Sequence, residues 1–330
     1  MGLRSGSARP TRRVTTLVVV SAFAATLIAA AAAPASAQVS DAYSGFASGS
    51  IVHVDAITTG SLRVADFEVG VGNAQVNSEG LQTLQNAYGR RIAPHIAAGS
   101  SAGAYSSILE AGVLLNGVDA DNQVAPFTAE SYDGVGNVDS AVIPGDGAGN
   151  IAPLVWADVL RKKAVTNWNA ANCVIGDPIA AGEQYIARAD VLDPAATAAN
   201  STNGFDKPLL SLDRFSAGPR QGVSDVISRE LIYVGNGGNL GLYSVTATTL
   251  APVTLFAGTP NELTIEADGP AYLVARADGS AGGAKVDYIA PTLTVIQAGV
   301  KTTILPDAVT KPTIIYIPGT QTPLVRINLG

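Results

Sequence analysis

The chain is predicted to be mainly β: antiparallel, sandwich- or barrel-like sheets with one or two short helices. Three observations carry that expectation. From Val223 onward, short segments rich in β-branched and aromatic residues recur between Gly, Pro and Asp, the pattern of sheets joined by tight turns. In the first quarter of the chain, segments 50–57 and 62–69 are β-branched and partly alternating around Thr58-Thr59-Gly60-Ser61. They read as a hairpin with one wet face. Composition agrees. Of 330 residues, 47% are hydrophobic and 14% charged, with 35 Gly and 18 Pro, so a packed core is within reach and wholesale disorder is excluded.

Ahead of the hairpin, residues 1–37 read as an address. Arg4, Arg9, Arg12 and Arg13 form a basic start, Val14 to Ala33 carry no charge, and Ala35-Ser36-Ala37 offers a small-residue cleavage site before Gln38. That is the layout of a secretory signal peptide, and it places the protein outside the cell or on its surface. Thr11-Arg12-Arg13 hints at a twin-arginine signal, but Thr15 and Thr16 favour the general secretory route. Residues 1–37 are therefore set aside from the fold. Without their four arginines, 16 basic residues stand against 27 acidic ones, a net charge of −11. An acidic balance of that size disfavours nucleic acid and anionic lipid as partners. No second long apolar run follows, so no membrane span is expected after cleavage.

Past the hairpin, Leu81, Leu84, Ala87 and Tyr88 fall at helical spacing after Asn77 or Ser78. Residues 104–116 read as a strand or a short helix, and 131–150 as a Gly/Asp/Asn loop region. The clearest helical segment is Pro153 to Val165, with Pro in the first turn and Arg161-Lys162-Lys163 in the last, where cations suit the helix dipole. Residues 190–222 look like loops or a linker. Strands are then expected at 229–235, 240–247, 252–257, 261–267, 271–277, 284–289, 292–297, 301–305 and 313–317, with Asp268-Gly269 and Asp278-Gly279 as hairpin turns. This divides the exported chain into a β-rich part, 38–222, and a sandwich-like part, 223–330, possible as one continuous unit.

The chemical inventory is sparse. One Cys and two His exclude a disulfide framework and any Cys-cluster metal site. Gly99-Ser100-Ser101-Ala102-Gly103 matches a nucleophile elbow, but no histidine follows His95, so the order Ser…His needed for a hydrolase triad is missing. A small-residue turn is the simpler reading. His53 reads as a packed histidine within a strand, and His95 as a loop residue. Cys173, near Trp168, lacks a local base and reads as inert. Asp133, Asn137 and Asp139, or Asp146 and Asn150, could offer oxygens to calcium, but EF-hand spacing is absent, and turns need the same residues. No phosphate-cradling motif occurs. No catalytic or cofactor-binding residue is assigned, no cofactor is implied, and the metal question stays open.

Several segments together resemble actinobacterial secreted proteins of the choice-of-anchor type, nearest to choice-of-anchor P, with choice-of-anchor G as the sibling. They are Trp168 to Leu192, Gly49 to Ala56 with Asn77 to Leu81, Asn86 to Arg90, and Leu250 to Gly258 with Asn261 to Glu266. The resemblance implies an exported surface protein and no catalytic residues. The sequence departs from it in showing no L-P-x-T-G motif and no hydrophobic tail after residue 300. The expected function is structural or adhesive, without catalysis, directed at a cell envelope or an extracellular surface ligand. A carbohydrate- or calcium-binding module and a carboxylate-based glycan hydrolase are the alternatives.

Overall fold

The computed structural model describes residues 18–21, 43–59, 62–81, 84–85, 91–92, 99–115, 118–124, 127–142, 150–168, 175–197, 204–213, 223–235, 238–306 and 312–328. They form antiparallel sheets, mainly β as expected. In chain order the strands are β1 (Val18–Ser21), β2 (Ser44–Thr59), β3 (Leu62–Asn77), β4 (Leu84–Gln85), β5 (Arg91–Ile92), β6 (Ala102–Leu115), β7 (Val118–Val124), β8 (Ala129–Tyr132), β9 (Val138–Val142), β10 (Asn150–Ile151), β11 (Val155–Ala157), β12 (Leu160–Thr166) and β13 (Pro178–Ile186). There follow β14 (Ala189–Val191), β15 (Leu210–Leu212), β16 (Ser224–Val234), β17 (Leu240–Thr249), β18 (Val253–Leu255), β19 (Leu263–Ala267), β20 (Ala271–Ala277), β21 (Lys285–Ile289), β22 (Leu293–Gln297), β23 (Val300–Ile304), β24 (Thr313–Tyr316) and β25 (Pro323–Asn328).

Three large sheets hold these strands, apart from β4 and β5, which pair with each other as a separate two-stranded sheet. The first runs β24-β25-β1-β2-β3-β6-β7, with β8 also on β6. The second runs β9-β12-β13-β16-β17-β20-β21, and the third β10-β11-β14-β15-β18-β19-β22-β23. The second and third sheets are two halves of one bent ribbon. The chain passes from β11 to β12, from β13 to β14, and from β17 to β18 around a corner, so the strand orders of the two sheets run side by side. Backbone bonds tie neighbours across it: Asp158 N–H donates to Arg188 C=O at 2.9 Å, and Ala187 N–H to Val159 C=O at 3.0 Å. Strands that switch sheets at a bend are how orthogonal sheets make corners. Pro252, Pro270 and Pro291 fall in the β17–β18, β19–β20 and β21–β22 crossings of the same corner, where the ladder is interrupted and no N–H is needed.

The corner explains several departures from expectation. No α-helix lies among the described residues, and the segment 153–165 is β11, a bend, and β12. Its apolar residues follow period 2: Leu160, Ala164 and Thr166 are buried while Arg161 is exposed and Lys163 half-buried, and cross-strand partners on β9 and β13 override any helical preference. The segment after Asn77 is likewise not helical where it is described, since Leu84 and Gln85 pair with Ile92 and Arg91; Ala87 and Tyr88 lie outside the described residues. Ser131-Tyr132 and Val138–Val142, expected in a loop, are strand, and so are β14 and β15 within 190–222. Asp268-Gly269 sits on a crossing between sheets, whereas Asp278-Gly279 does join the paired strands β20 and β21.

The early hairpin is present but longer than expected, with Thr59 opposite Leu62 and Ser44 opposite Asn77. Neither face of its middle is wet: Ile51, Val52, His53 and Val54 are consecutively buried. Residues 104–116 take the strand option, as β6. The leader segment that was set aside contributes β1, antiparallel to β2 and parallel to β25.

Two kinds of core fill the space between sheets. One is a large aliphatic cluster shared by the first and third sheets, with Ile51, Phe67, Ile108, Leu210, Leu255 and Leu293 in it. The other lies between the first and second sheets and is built of small residues. A Cβ on Gly72 would come 2.6 Å from the Gly182 carbonyl oxygen, and one on Gly182 would collide with the carbonyl oxygens of Asn73 and Tyr105. Hydroxyls bridge the gap: Ser228 Oγ donates to Gly72 C=O at 2.7 Å and Thr246 Oγ1 to Ser48 C=O at 3.2 Å. The layers approach too closely for ordinary aliphatic side chains.

Gly182→Ala is therefore expected to destabilise the protein by about 1–3 kcal/mol through overpacking. Gly269→Ala, where nothing lies within 4 Å, is expected to stay within about 0.5 kcal/mol of the parent. Denaturant melts of the two variants check this.

Candidate functional site

The outward face of the second sheet carries the densest ordered set of charged and aromatic side chains among the described residues. Alternation on β12, β13 and β16 sets it up, because residues next to those facing the first sheet point away from it. On β12 these are Arg161 and Lys163; on β13, Glu183 and Tyr185; on β16, Asp225 and Arg229. β9 adds Asp139, opposite Lys163 in the ladder.

Glu183 is the hub. Its Oε1 accepts hydrogen bonds from Arg229 Nε at 2.8 Å and Lys163 Nζ at 3.2 Å, and lies 2.6 Å from Arg229 Nη2. Its Oε2 accepts from the Tyr185 hydroxyl at 2.9 Å. Burial alone would push this carboxyl up. The Arg229 bond and charge, the Tyr185 hydroxyl and the Lys163 ammonium outweigh it and hold the group below its ordinary value. Tyr185 is pushed up to about 12, first by burial and then by the Glu183 charge. Arg161 stands 5.5 Å from the Tyr185 ring centroid. It also grips Asp139 through two parallel bonds of 2.8 Å, which hold the Asp139 carboxyl below its usual range. Asp225, on the same face, is shifted the other way, upward, chiefly by burial.

The arrangement is a chain of contacts, Asp139–Arg161–Tyr185–Glu183–Arg229, laid across four adjacent strands. Charge-assisted, partly bidentate bonds fix its geometry. Such a face offers fixed donors, ring edges and guanidinium planes to a flat or extended ligand. Glu183 does not suit proton donation at neutral pH, since its proton is held off. A shallow cleft of about 240 Å³, open mouth included, lies beside the far edge of this sheet, between Ser50, Thr246, Thr248, Tyr272 and Tyr288. Most of that space is open solvent, and the enclosed part is about 10 Å³, far below the roughly 300–1,000 Å³ that small-molecule sites occupy.

Of the residues singled out from the sequence, Asp139 lies on this face and the others fall elsewhere. Asp133 accepts from the Ser101 and Ala102 N–H groups at 2.9 and 2.8 Å, pinning the start of β6. Asn137 Oδ1 accepts from Thr166 N–H at 2.9 Å and Ser131 Oγ at 2.5 Å. Asp139 is held by Arg161. The three are thus engaged in separate bonds and not gathered around a common point. Asn150 sits in β10 opposite Trp156, and Asp146 lies outside the described residues. Among the described residues no group of three or more His, Cys, Asp or Glu side chains is placed to hold a metal ion. Gly99 to Gly103 is a turn entering β6, with Gly99 at a φ of 91°. His53 is buried in β2, its Nδ1 3.1 Å from Glu68 Oε1. His95 and Cys173 lie outside the described residues. Trp168 packs on Tyr43, ring centroids 5.7 Å apart.

Sequence reading missed the Glu183 hub. It assigned Arg161 and Lys163 to a helix terminus and gave Glu183, Arg229 and Asp225 no role. The available signal was the alternation of charge with small or apolar residues in 160–166 and 224–231.

A second carboxyl, Glu230, is the interior counterpart. It is wholly buried against the first sheet, its Oε2 accepting from Ser244 Oγ at 2.7 Å. Burial pushes its carboxyl well above its ordinary value. Among the described residues no helix is long and apolar enough to cross a membrane. Comparison with family models, with curated proteins and with solved structures finds no match.

The two carboxyls give opposite pH signatures. Glu183 is depressed on folding, so its stabilisation is present above the unfolded carboxylate range and is lost as pH falls through the folded value. Glu230 is raised, so stability falls as pH rises from the unfolded range toward the folded value, by up to about 1.4 kcal/mol per pH unit. Glu183→Gln is expected to lose about 1–3 kcal/mol at neutral pH and little in acid. Glu230→Gln is expected to remove the falling limb and gain on the parent as pH rises. Chemical denaturation of both variants across pH tests the pair.

Proposed function

We propose that the chain is an exported, cell-surface protein with a structural or adhesive role and no catalysis of its own, related to the choice-of-anchor proteins that parts of its sequence resemble. The observation that carries this reading is the outward face of the second sheet, where Asp139, Arg161, Tyr185, Glu183, Lys163 and Arg229 neutralise and orient one another across four paired strands. That is the equipment of a recognition surface, which needs fixed donors and ring planes and no group poised for proton transfer. The leader-like residues 1–37 support the export half of the reading. The ligand class it favours is an uncharged or weakly acidic surface polymer such as a glycan, which the Arg161–Tyr185 stack and the half-exposed Lys163 and Arg229 suit.

A second reading has one specific observation in its favour. Glu183 and Asp225 share this face, and their carboxyls are pushed in opposite directions, the relation that carboxylate hydrolases use to separate acid from base.

Two experiments decide between them. Protein recovered from the exported fraction is expected to begin at Gln38, cleavage taking β1 with it; an uncut chain retained inside the cell would overturn the export reading. Purified protein is expected to bind envelope glycan preparations, to lose at least tenfold in affinity with Arg161→Ala and Arg229→Ala combined, and to turn over no glycan. Glycan hydrolysis abolished by Asp225→Asn or Glu183→Gln would replace the adhesive reading with the hydrolytic one.

A further inference from the structure

The second sheet ends in an edge strand that is laid out for a copy of itself. β21, Lys285-Val286-Asp287-Tyr288-Ile289, pairs with β20 on one side and is the last strand of its sheet. All five of its residues are exposed, Val286 at 53% and Ile289 at 61%. Its ladder with β20 runs without a register shift, and it contains no proline. Edge strands are ordinarily blunted by bulges, prolines or inward charges, because their free N–H and C=O groups template further pairing. β21 has none of these devices except its two charges, and those charges are complementary under one particular symmetry.

Lys285 and Asp287 lie on the same, outward face, their side chains 2.7 Å apart. A two-fold axis normal to the sheet, passing through Val286, pairs two copies of β21 antiparallel. Lys285 then faces the other copy's Asp287, Asp287 faces its Lys285, and Val286 faces Val286. The neighbouring registers that keep the outward faces together do worse. Centring on Asp287 sets acid against acid, centring on Lys285 sets base against base, and centring on Tyr288 leaves both charges opposite apolar or proline positions. Opposite charges directly across an antiparallel pair stabilise it, and like charges destabilise it. The matched register gives four charges alternating in sign, with Val286 closing on its counterpart, and Tyr288 on the other copy's Ala284, across the other face.

We infer that the partner of this edge is a second copy of the same chain, joined through β21 into a continuous sheet across an isologous interface. The contact is small, at the weak end of protein interfaces, so the dimer forms reversibly. The adhesive reading gains from it, because pairing sets two outward faces side by side and couples two weak binding sites. The inference does not depend on that reading, since it concerns a different edge and a different readout.

Sedimentation equilibrium of the purified protein is expected to show a concentration-dependent dimer. K285D alone and D287K alone each set like charges opposite one another and are expected to weaken it at least tenfold. The double swap K285D/D287K restores it, and a mixture of the two single variants forms a heterodimer. V286C is expected to yield a disulfide-linked dimer on mild oxidation, the facing Cα atoms being within bridging range, whereas the parent, which keeps Cys173, does not. These positions are exposed, so unchanged thermal melts separate lost pairing from lost folding. A monomer at roughly 1 mM, the limit of weak specific association, overturns the inference. So does a dimer indifferent to both charge swaps, or one that the double swap fails to restore.

Discussion

The close approach of the first and second sheets governs how the rest of the molecule is built. Where Gly72 meets Gly182, the backbones come nearer than side chains allow, and alanine, serine, threonine and glycine crowd the space around that contact, with Ile179 and Val76 farther along it. Small residues bury little apolar area, so this half of the sandwich depends on hydroxyl-to-carbonyl bonds across the layers. The other half, under the third sheet, is a conventional aliphatic core. A wholly buried Glu230 belongs to the thin half. Ser244 satisfies one of its oxygens there, and burial favours its protonated form.

A thin interior pushes the charged chemistry outward. Side chains alternate across β12, β13 and β16, so the positions beside the inward Ala164, Gly182 and Ser228 are free to carry Arg161, Lys163, Glu183, Tyr185 and Arg229 outward. The recognition face and the tight packing are two sides of the same three strands. The opposite pH responses of Glu183 and Glu230 follow from that geometry: one carboxyl is ringed by cations on the surface side, the other is sealed against backbone on the inner side.

Local pattern made the fold class and the later strands legible. Segment 271–277 matches β20 residue for residue, and most of its neighbours fall within a few residues. Cross-strand partners far away in sequence carry no local signature, and the errors trace to them. Pro153 with Arg161-Lys162-Lys163 has the punctuation of a helix, yet Arg161 answers to Asp139 on β9, Lys162 to the Thr128 carbonyl, and Lys163 to Glu183 on β13. Asp268-Gly269 has the letters of a hairpin turn, but its flanking strands belong to different sheets. The Glu183 hub was hidden for the same reason, since Arg229 lies 46 positions away from it. Asp133 and Asn137 could be located by composition, while their work as backbone anchors could not.

The bent ribbon also bears on how such a chain reaches its final form. Each long strand of the second and third sheets lies beside the one made just before it, from β11–β12 through to β22–β23, so most of its pairings close short loops, the kind that form quickly. The first sheet is different: its β24–β25 hairpin must travel back to the opening third of the chain. Assembly in order of emergence would thus lay down the ribbon by successive local additions and leave the seating of the β24–β25 hairpin against the early strands as its final, long-range event.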